Sequence, residues 1–314
     1  MTPPETGRPS TPGRPILVCM SWRGGERLAR CLASIEQAQQ YFSRVIISVT
    51  AEEDSDDTRM ARAFADAHTG VEVLCTGREL PTMDHQEFWI DYLRSTGAQR
   101  DDWICWLAYD DEVRVRGIQG LVDDQGNWPL LPGTAYLGPW AMRHEQAEAL
   151  WAGDAAEPVE VWTCLPSGTA ASQTVAEWIR DQLRQPTYLQ MSGSVCEFGS
   201  FIDLHSRHPR KHGPMRIEMA VVATPETRFV DEFPVPITVI YGRSNSDRAS
   251  YGSAARREDL HLLAWLARYV ARHPGSIPPI ASGLGSVASA YAKVLANRGE
   301  LPAEEWRVRG QTIA

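Results

Sequence analysis

The sequence predicts an α/β fold with a mostly parallel, Rossmann-like sheet flanked by helices. Two observations lead to this fold class. Short apolar runs alternate with amphipathic stretches from residue 16 to residue 112, and this alternation is typical of strands joined by crossover helices. The last of these runs, Trp103–Leu107, is apolar at every position and stops just before three adjacent carboxylates. A strand buried on both faces shows this pattern.

Four strands and three helices are predicted in this front part of the chain. The strands are Ile16–Met20, Val45–Val49, Val71–Cys75 and Trp103–Leu107. Helical spacing places four apolar residues on one face of the first helix: Leu28, Leu32, Ile35 and Phe42. The second helix runs from Thr58 to His68, with Asp56 or Asp57 as its N-cap. The third spans 84–94 and directs Phe88 and Tyr92 inward, with Trp89 as a further candidate.

The signals are weaker after residue 112, where residues 123–172 are rich in Gly, Pro and Trp. Helices are expected at 174–184, 213–224, 256–272 and 285–297, and strands at 188–191 and 236–241. There is no internal repeat and no clear linker, so we expect one domain. Its parts are a disordered tail (1–14), a front half (15–115), an elaborated back half (116–284) and a C-terminal helical tail (285–314).

Composition excludes several classes of protein. A net charge of -9 disfavours a general nucleic-acid binder, which needs clustered Lys and Arg. The one basic cluster, 207–212, is either a solvated loop or a patch for an anionic group. No apolar run approaches the roughly 20 residues of a membrane span, so we do not expect an integral membrane protein. The six cysteines form no C-x-x-C pair, which indicates buried thiols in a reduced, cytoplasmic protein.

The acidic triplet at the end of the fourth strand is a candidate metal site. In open α/β sheets, ligands bind beyond the carboxyl ends of the strands, and Asp110, Asp111 and Glu112 stand at that place. Their oxygens suit Mg²⁺ or Mn²⁺, which proteins hold with one or two carboxylates and substrate phosphates. The alternative is a solvated acidic turn. The chain lacks G-x-G-x-x-G, P-loop, G-x-S-x-G and H-E-x-x-H motifs, which disfavours the enzymes built on them.

Three segments give the chain a resemblance to a known family. They are residues 20–35, with Met20-Ser21-Trp22-Arg23 and a helix ending in Leu32-Ala33-Ser34-Ile35; the turn Asp54-Ser55-Asp56-Asp57-Thr58; and Leu107-Ala108-Tyr109-Asp110-Asp111-Glu112. In this order they resemble the family 2 glycosyltransferases with the GT-A fold, whose D-x-D metal motif corresponds to the third segment. The resemblance covers residues 15–115, and the remainder matches only in general layout.

The resemblance implies a donor, an acceptor and a metal. The donor would be a nucleotide diphosphate sugar bound by the front half, and the acceptor a small molecule or glycan bound by the back half. Mn²⁺ or Mg²⁺ would lie at Asp110, with Asp111 and Glu112 close by. Donor contacts would come from Ser21, Trp22, Arg23, Glu52, Asp84, His85, Tyr109 and Arg243. Thr50 is an alternative to Glu52, and oligomeric state is left open.

The resemblance also implies an inverting transfer in which a carboxylate deprotonates the acceptor hydroxyl. Glu218 lies at the expected distance after the metal motif and opens a predicted helix, and Glu197 and Asp203 are its rivals. The turn Ser192-Gly193-Ser194 is similar to one that lines the family's acceptor site.

Departures from the family pattern keep two other functions open. Ala108 replaces the first Asp of D-x-D, and the second strand lacks its usual terminal Asp residues. A catalytically inactive nucleotide- or sugar-binding protein is therefore one alternative. A nucleotidyltransferase is the other alternative, although Trp22–Arg27 is a weak version of the Gly-rich basic loop that such an enzyme carries.

Overall fold

The computed structural model describes residues 13–136, 140–144, 160–162, 172–174, 192–207, 228–230 and 237–242. The helices predicted at 213–224, 256–272 and 285–297 and the strand predicted at 188–191 lie outside these residues, as do Glu218 and Arg243. Of the helix predicted at 174–184, only Thr174 is described, and it ends a strand.

Four parallel strands form the front of the main sheet. They are β1 (Ile16–Ser21), β2 (Arg44–Val49), β3 (Val71–Cys75) and β4 (Trp103–Ala108). Their order is β3-β2-β1-β4, and Ile16 of β1 is in register with Arg44 of β2 and with Ile104 of β4. All residues of β1 and β2 are buried, as expected for strands covered on both faces. The four predicted strands and the mostly parallel, Rossmann-like sheet are confirmed.

Helix α1 (Glu26–Ala38) covers one face of this sheet with the stripe that its spacing predicts. Leu28, Leu32 and Ile35 are buried there with Cys31 and Ala38. The helix ends before Phe42, because residues 39–41 tighten into a 3₁₀ turn and Phe42 itself is extended. Phe42 is still buried, and its ring lies 5.7 Å from that of Trp128. The prediction that Phe42 belongs to the helix is therefore wrong, although its burial was anticipated.

The N-cap of α2 (Asp56–Ala67) is Ser55, so the prediction of Asp56 or Asp57 is wrong. Ser55 has extended backbone angles, and its Oγ accepts a hydrogen bond from the Thr58 N–H at 3.2 Å. Asp56 and Asp57 are the first two helical residues. Acidic side chains in the first turn are stabilised by the unpaired N–H groups and the helix dipole.

Helix α3 (Thr82–Ser95) buries a different face from the predicted one. Trp89, Ile90 and Leu93 are buried, together with His85 and Gln86, whereas Phe88 and Tyr92 are only half-buried. The indole N–H of Trp89 donates to Met20 Sδ of β1 at 3.3 Å, so contact with the sheet sets the orientation of the helix. The candidate Trp89 is confirmed, whereas Phe88 is only half-buried. Tyr92 is also half-buried, but its hydroxyl donates to Glu72 of β3 at 2.6 Å.

The later strands extend the main sheet and form a second one. They are β5 (Glu112–Val113), β6 (Thr134–Tyr136), β7 (Trp140–His144), β8 (Glu160–Trp162), β9 (Ser172–Thr174), β10 (Val195–Glu197), β11 (Arg228–Val230) and β12 (Thr238–Gly242). The main sheet runs β3-β2-β1-β4-β10-β6-β11-β9, and the second runs β5-β12-β7-β8. Strand β10 is antiparallel to β4. Two further helices are α4 (Val115–Gln119) and α5 (Phe198–Arg207).

The cysteines of the described residues are free thiols, as predicted. Cys19, Cys31, Cys105 and Cys196 are buried, and Cys75 is half-buried. Among the same residues, no helix has the length and apolar character that crossing a membrane would require.

His85, which the resemblance implied as a donor contact, is buried between α3 and the sheet. Its side chain is 2% exposed, and its Nε2 is hydrogen-bonded to Ser48 Oγ of β2 at 2.8 Å. Burial lowers the pKa of His85 to about 4, because a charged imidazole is poorly solvated there. The folded protein therefore holds a neutral His85 near pH 5, whereas the unfolded chain protonates it near pH 6.5.

We expect His85 to destabilise the protein in acid. Stability is retained above pH 6.5 and lost as the pH falls toward 4, because only the unfolded chain takes up the proton. The free energy of unfolding should fall by about 2 kcal/mol from this group between pH 7 and pH 5. His85→Gln should flatten that part of the pH profile in urea titrations, whereas His68→Gln should not. An equally steep profile in His85→Gln would contradict this assignment.

Candidate functional site

A cleft of about 440 Å³ opens at the carboxyl ends of β1, β2 and β3. Its walls are the three loops that follow these strands, at residues 22–25, 50–55 and 76–81. Six charged side chains line it: Arg23, Glu52, Asp56, Asp57, Arg78 and Glu79. The cleft therefore lies at the place where open α/β sheets bind ligands.

The buried carboxylate of Asp57 fixes the loop between β1 and α1. Its Oδ2 accepts from Ser21 Oγ at 3.0 Å and from the Gly24 N–H at 2.6 Å, and its Oδ1 accepts from the Gly25 N–H at 2.9 Å. Asp57 is 6% exposed. Hydrogen bonds to a buried charge are stronger than neutral ones, so this side chain holds the first loop of the cleft against the start of α2.

An ion pair spans the rim of the cleft. The Arg23 guanidinium donates to both Glu79 oxygens, from Nε at 2.7 Å and from Nη2 at 3.1 Å. It also lies 5.2 Å from the centre of the Trp22 ring. Arg23 itself has a φ of 51°, an uncommon left-handed conformation for a residue with a side chain. The pair therefore links the loop after β1 to the loop after β3.

Thr50 fixes the third loop of the cleft to the end of β2. Its Oγ1 accepts from the Leu80 N–H at 2.6 Å and donates to the Arg78 carbonyl at 3.4 Å. The Thr76 hydroxyl donates to the same carbonyl. Thr50 is 3% exposed, so its side chain has a structural role, whereas Glu52 is exposed and lines the cleft.

The acidic triplet follows β4 in a tight turn. The Asp111 N–H donates to the Ala108 carbonyl at 3.1 Å, which is the closing bond of a β-turn. Asp110, Asp111 and Glu112 are 6%, 3% and 8% exposed, so the alternative of a solvated acidic turn is wrong. Glu112 already belongs to β5, opposite Val239 of β12.

Tyr109 connects the acidic turn with the first loop of the cleft. Its N–H donates to the Met20 carbonyl at 3.0 Å, and a Cβ added to Gly24 would come within 3.1 Å of its ring. Burial raises the pKa of Tyr109 to about 12, with a further contribution from the negative charge of Asp110. The hydroxyl is therefore a neutral hydrogen-bonding group at neutral pH.

The turn Ser192-Gly193-Ser194 lies beside the last residues of β4. Ser192 Oγ accepts from the Ala108 N–H at 3.0 Å, and the Gly193 N–H donates to the Trp106 carbonyl at 2.7 Å. Gly193 has a φ of +85°, and a Cβ there would stand 1.9 Å from Thr238 Oγ1. Only glycine fits at this point, where the turn passes between the two sheets. Acceptor binding by this turn stays a prediction.

The structure brings most of the predicted front-half residues to one edge of the sheet. Arg23 and Glu52 line the cleft, and Trp22 lies against Arg23. Tyr109 and the acidic triplet occupy the next strand end. The Ser21 hydroxyl is buried and bonded to Asp57, so direct donor contact would require that bond to break. Asp84 is exposed in the first turn of α3, whereas the His85 imidazole is enclosed between helix and sheet.

Glu197 lies at the wrong end of the sheet to be the base. In the antiparallel β10 it stands opposite Trp103, the first residue of β4, and its Oε1 accepts from the Gly133 N–H at 3.2 Å. The acidic turn follows the other end of β4, about 17 Å away at 3.3 Å per residue. Helix α5, which contains the other rival Asp203, begins at the same distant end.

The sequence did not predict that Asp57, Arg78 and Glu79 line the cleft. Asp57 was considered as a helix cap, although its position in the motif Asp54–Thr58 gave a signal for a specific contact. Arg78 and Glu79 follow β3 without any motif, and only the packing of three loops brings them to the cleft.

The carboxylates that follow β4 are compatible with a divalent cation that a bound ligand helps to hold. Within the described ranges, no three His, Cys, Asp or Glu side chains converge to bind a metal by themselves. Mg²⁺ and Mn²⁺ commonly use one or two carboxylates and complete their shell with phosphate oxygens and water. Asp110 and Asp111 at a strand end offer such a partial set.

Comparison with known proteins identifies the fold. No model of a known protein family matches the sequence, and no curated protein does. Among solved structures, the chain is similar to S. aureus TarS 1-349, with 9% identity, a TM-score of 0.51, and coverage of 90% of this chain and 72% of that one. The complex of TarS 1-349 with UDP-GlcNAc gives 9% identity, a TM-score of 0.50, and coverage of 90% and 73%.

The mannosyltransferase PcManGT from Pyrobaculum calidifontis, in complex with GDP-Man and Mn²⁺, is 14% identical over 100% of this chain and 84% of that one, with a TM-score of 0.49. The two TarS similarities show that this chain has the GT-A-like fold of nucleotide-sugar transferases. The fold that the sequence predicted is thereby confirmed.

We expect Asp57→Asn to destabilise the protein by about 3 kcal/mol. The amide retains one acceptor oxygen, loses the charge and turns an NH₂ group toward a backbone donor, and hydrogen bonds to charged groups contribute about 1.5–3 kcal/mol each. Asp56→Asn is the matched control, because its side chain is 86% exposed and pairs with Arg59 on the surface. Urea unfolding measures both variants, and equal losses would contradict the role of Asp57.

Proposed function

We propose that this protein is a metal-dependent glycosyltransferase. It moves a sugar from a nucleotide diphosphate sugar to an acceptor hydroxyl, with inversion at the anomeric carbon. The observation that carries this proposal is the placement of the cleft and the buried Asp110–Asp111 turn on neighbouring strand ends, within a GT-A-like fold.

The donor would lie along the carboxyl edge of the sheet. β1 separates β2 from β4, so the cleft beyond β2 and the turn beyond β4 are about 10 Å apart at the usual strand spacing. A nucleoside in the cleft can therefore extend its diphosphate toward Asp110. Tyr109, between the two, offers its neutral hydroxyl as a further hydrogen-bonding group.

Asp110 would be the main ligand of Mn²⁺ or Mg²⁺, with Asp111 next to it. A divalent ion bound there supplies positive charge to the diphosphate as it leaves. The low exposure of both carboxylates strengthens their interaction with charge, because water screens it less. Glu112 stands on β5, where its backbone pairs with β12, so its contribution would be to orient the turn.

The catalytic base would be Glu218, which would take the proton of the acceptor hydroxyl as oxygen attacks the anomeric carbon. Glu218 lies outside the described residues, and its assignment comes from the resemblance described above. The positions of the rival carboxylates support this choice. Glu197 lies at the end of β4 that is opposite the acidic turn, and helix α5, which contains Asp203, begins at that same end.

One contact makes the nucleotidyltransferase alternative less favourable. A Gly-rich loop binds phosphates with its backbone N–H groups. Here the N–H groups of Gly24 and Gly25 donate to Asp57. The loop after β1 is therefore already occupied by a carboxylate of the protein.

The proposal predicts metal-dependent binding of a nucleoside diphosphate that requires Asp110. Calorimetric titration of UDP, dTDP, GDP, CDP and ADP, each with and without Mn²⁺, should show one diphosphate that binds at least 10-fold tighter with the metal. Asp110→Ala should remove this gain, because it removes the carboxylate nearest the strand end. Asp101→Ala, an exposed carboxylate before β4, should keep it. Unchanged metal dependence in Asp110→Ala would contradict the metal assignment.

Glu218→Gln should separate binding from transfer. The amide cannot accept the proton, so we expect the rate of sugar transfer to fall by 10²-fold or more, while the dissociation constant of the donor stays within about 2-fold. Glu197→Gln is the matched control and should transfer at the wild-type rate. A wild-type rate in Glu218→Gln would remove this residue from the mechanism.

A further inference from the structure

We propose that the donor carries guanine as its base, and that Glu52 and Arg78 select it. This inference rests on the proposed function, since it names the base of the proposed donor. Charged groups line the cleft, and some of them are still available to a ligand.

Most charged side chains in the cleft already have partners. Asp57 accepts three hydrogen bonds, Arg23 and Glu79 bind each other, and Asp56 pairs with Arg59. Glu52 and Arg78 are the exceptions: no side-chain hydrogen bond or ion pair joins either to another residue in the part of the chain that the structure describes. One acceptor group and one donor group therefore remain for a ligand.

The backbone that presents these two groups is fixed. The Glu52 carbonyl accepts from the Ser55 N–H at 3.1 Å and from Thr58 Oγ1 at 2.9 Å. Arg78 is held through its own carbonyl, which accepts from Thr50 Oγ1. Loops whose backbone is anchored in this way lose little backbone entropy when a ligand binds.

Guanine can satisfy both groups with two bonds each. Its N1–H and N2–H₂ are adjacent donors, which match the two oxygens of a carboxylate such as Glu52. Its O6 and N7 are adjacent acceptors, which match the fork of an arginine such as Arg78, the commonest arginine contact with a base.

The other bases lack one or both of these pairs. Uracil and thymine have a single N3–H between two carbonyl groups, so the second carboxylate oxygen would face a carbonyl oxygen. Cytosine and adenine place an acceptor nitrogen beside their amino group, which the carboxylate cannot bond. Each would leave a charged group of the cleft without its partner, at a cost in affinity.

Titration calorimetry of the full chain with Mn²⁺ tests the proposal. GDP should bind at least 10-fold tighter than UDP, dTDP, CDP and ADP. Inosine diphosphate, which differs from GDP only in lacking the 2-amino group, should bind about 10-fold more weakly. Glu52→Gln should abolish the difference between the two and should favour xanthosine diphosphate, whose C2 carbonyl accepts from the new amide.

Glu53→Gln is the matched control. Its side chain pairs with Arg62 and does not line the cleft, so this variant should retain the wild-type order of affinities. Tighter Mn²⁺-dependent binding of a diphosphate with another base would overturn the guanine assignment and leave the transferase proposal intact. An unchanged GDP preference in Glu52→Gln would overturn the role of Glu52. Failure of all five diphosphates to bind would overturn the proposed function itself.

Discussion

The organisation of the candidate site depends on a single buried carboxylate. Asp57 stands in the first turn of α2 and accepts three hydrogen bonds from the end of β1 and the loop that follows it. Without it, the N–H group of the buried Gly24 would need another partner, since buried donors are costly when unpaired. The tie also limits the space beneath the loop, where a Cβ on Gly24 would approach Leu28 to 2.7 Å and the Tyr109 ring to 3.1 Å. Asp57 thereby positions both parts of the candidate site, the cleft and the acidic turn.

The order of the strands turns these local contacts into a directional site. Because β1 lies between β2 and β4, the loop that Asp57 holds stands between Glu52 on one side and Asp110 on the other. Met20, near the end of β1, contacts both the acidic turn and helix α3. Its carbonyl accepts from the Tyr109 N–H, and its Sδ accepts from the indole N–H groups of Trp89 at 3.3 Å and Trp106 at 3.0 Å. Sheet, covering helix and acidic turn therefore share one central residue.

The sequence predicted the four front strands well because parallel strands buried on both faces are continuous apolar runs. It predicted the acidic turn because an apolar run that stops at carboxylates marks a strand end. Other features depend on contacts that no local pattern encodes. Ser55 and Asp57 are both good capping residues. Ser55 caps α2, whereas Asp57 accepts hydrogen bonds from Gly24 and Gly25, a contact that is distant in sequence. Contacts with Met20 and Ser48 of the sheet determine which face of α3 is buried. Short segments such as β10 carry too few residues for a periodic signal, so the direction that excludes Glu197 could not be predicted.

The close approach of Gly193 to Thr238 has an evolutionary consequence. The two residues are 45 positions apart, yet a single methyl group at one would occupy the space of the other's hydroxyl. A smaller residue at position 238 would remove this clash, but the φ of +85° at Gly193 would still strain any side chain there. Among relatives that keep this junction between the two sheets, glycine should therefore remain at the first position whatever residue stands at the second.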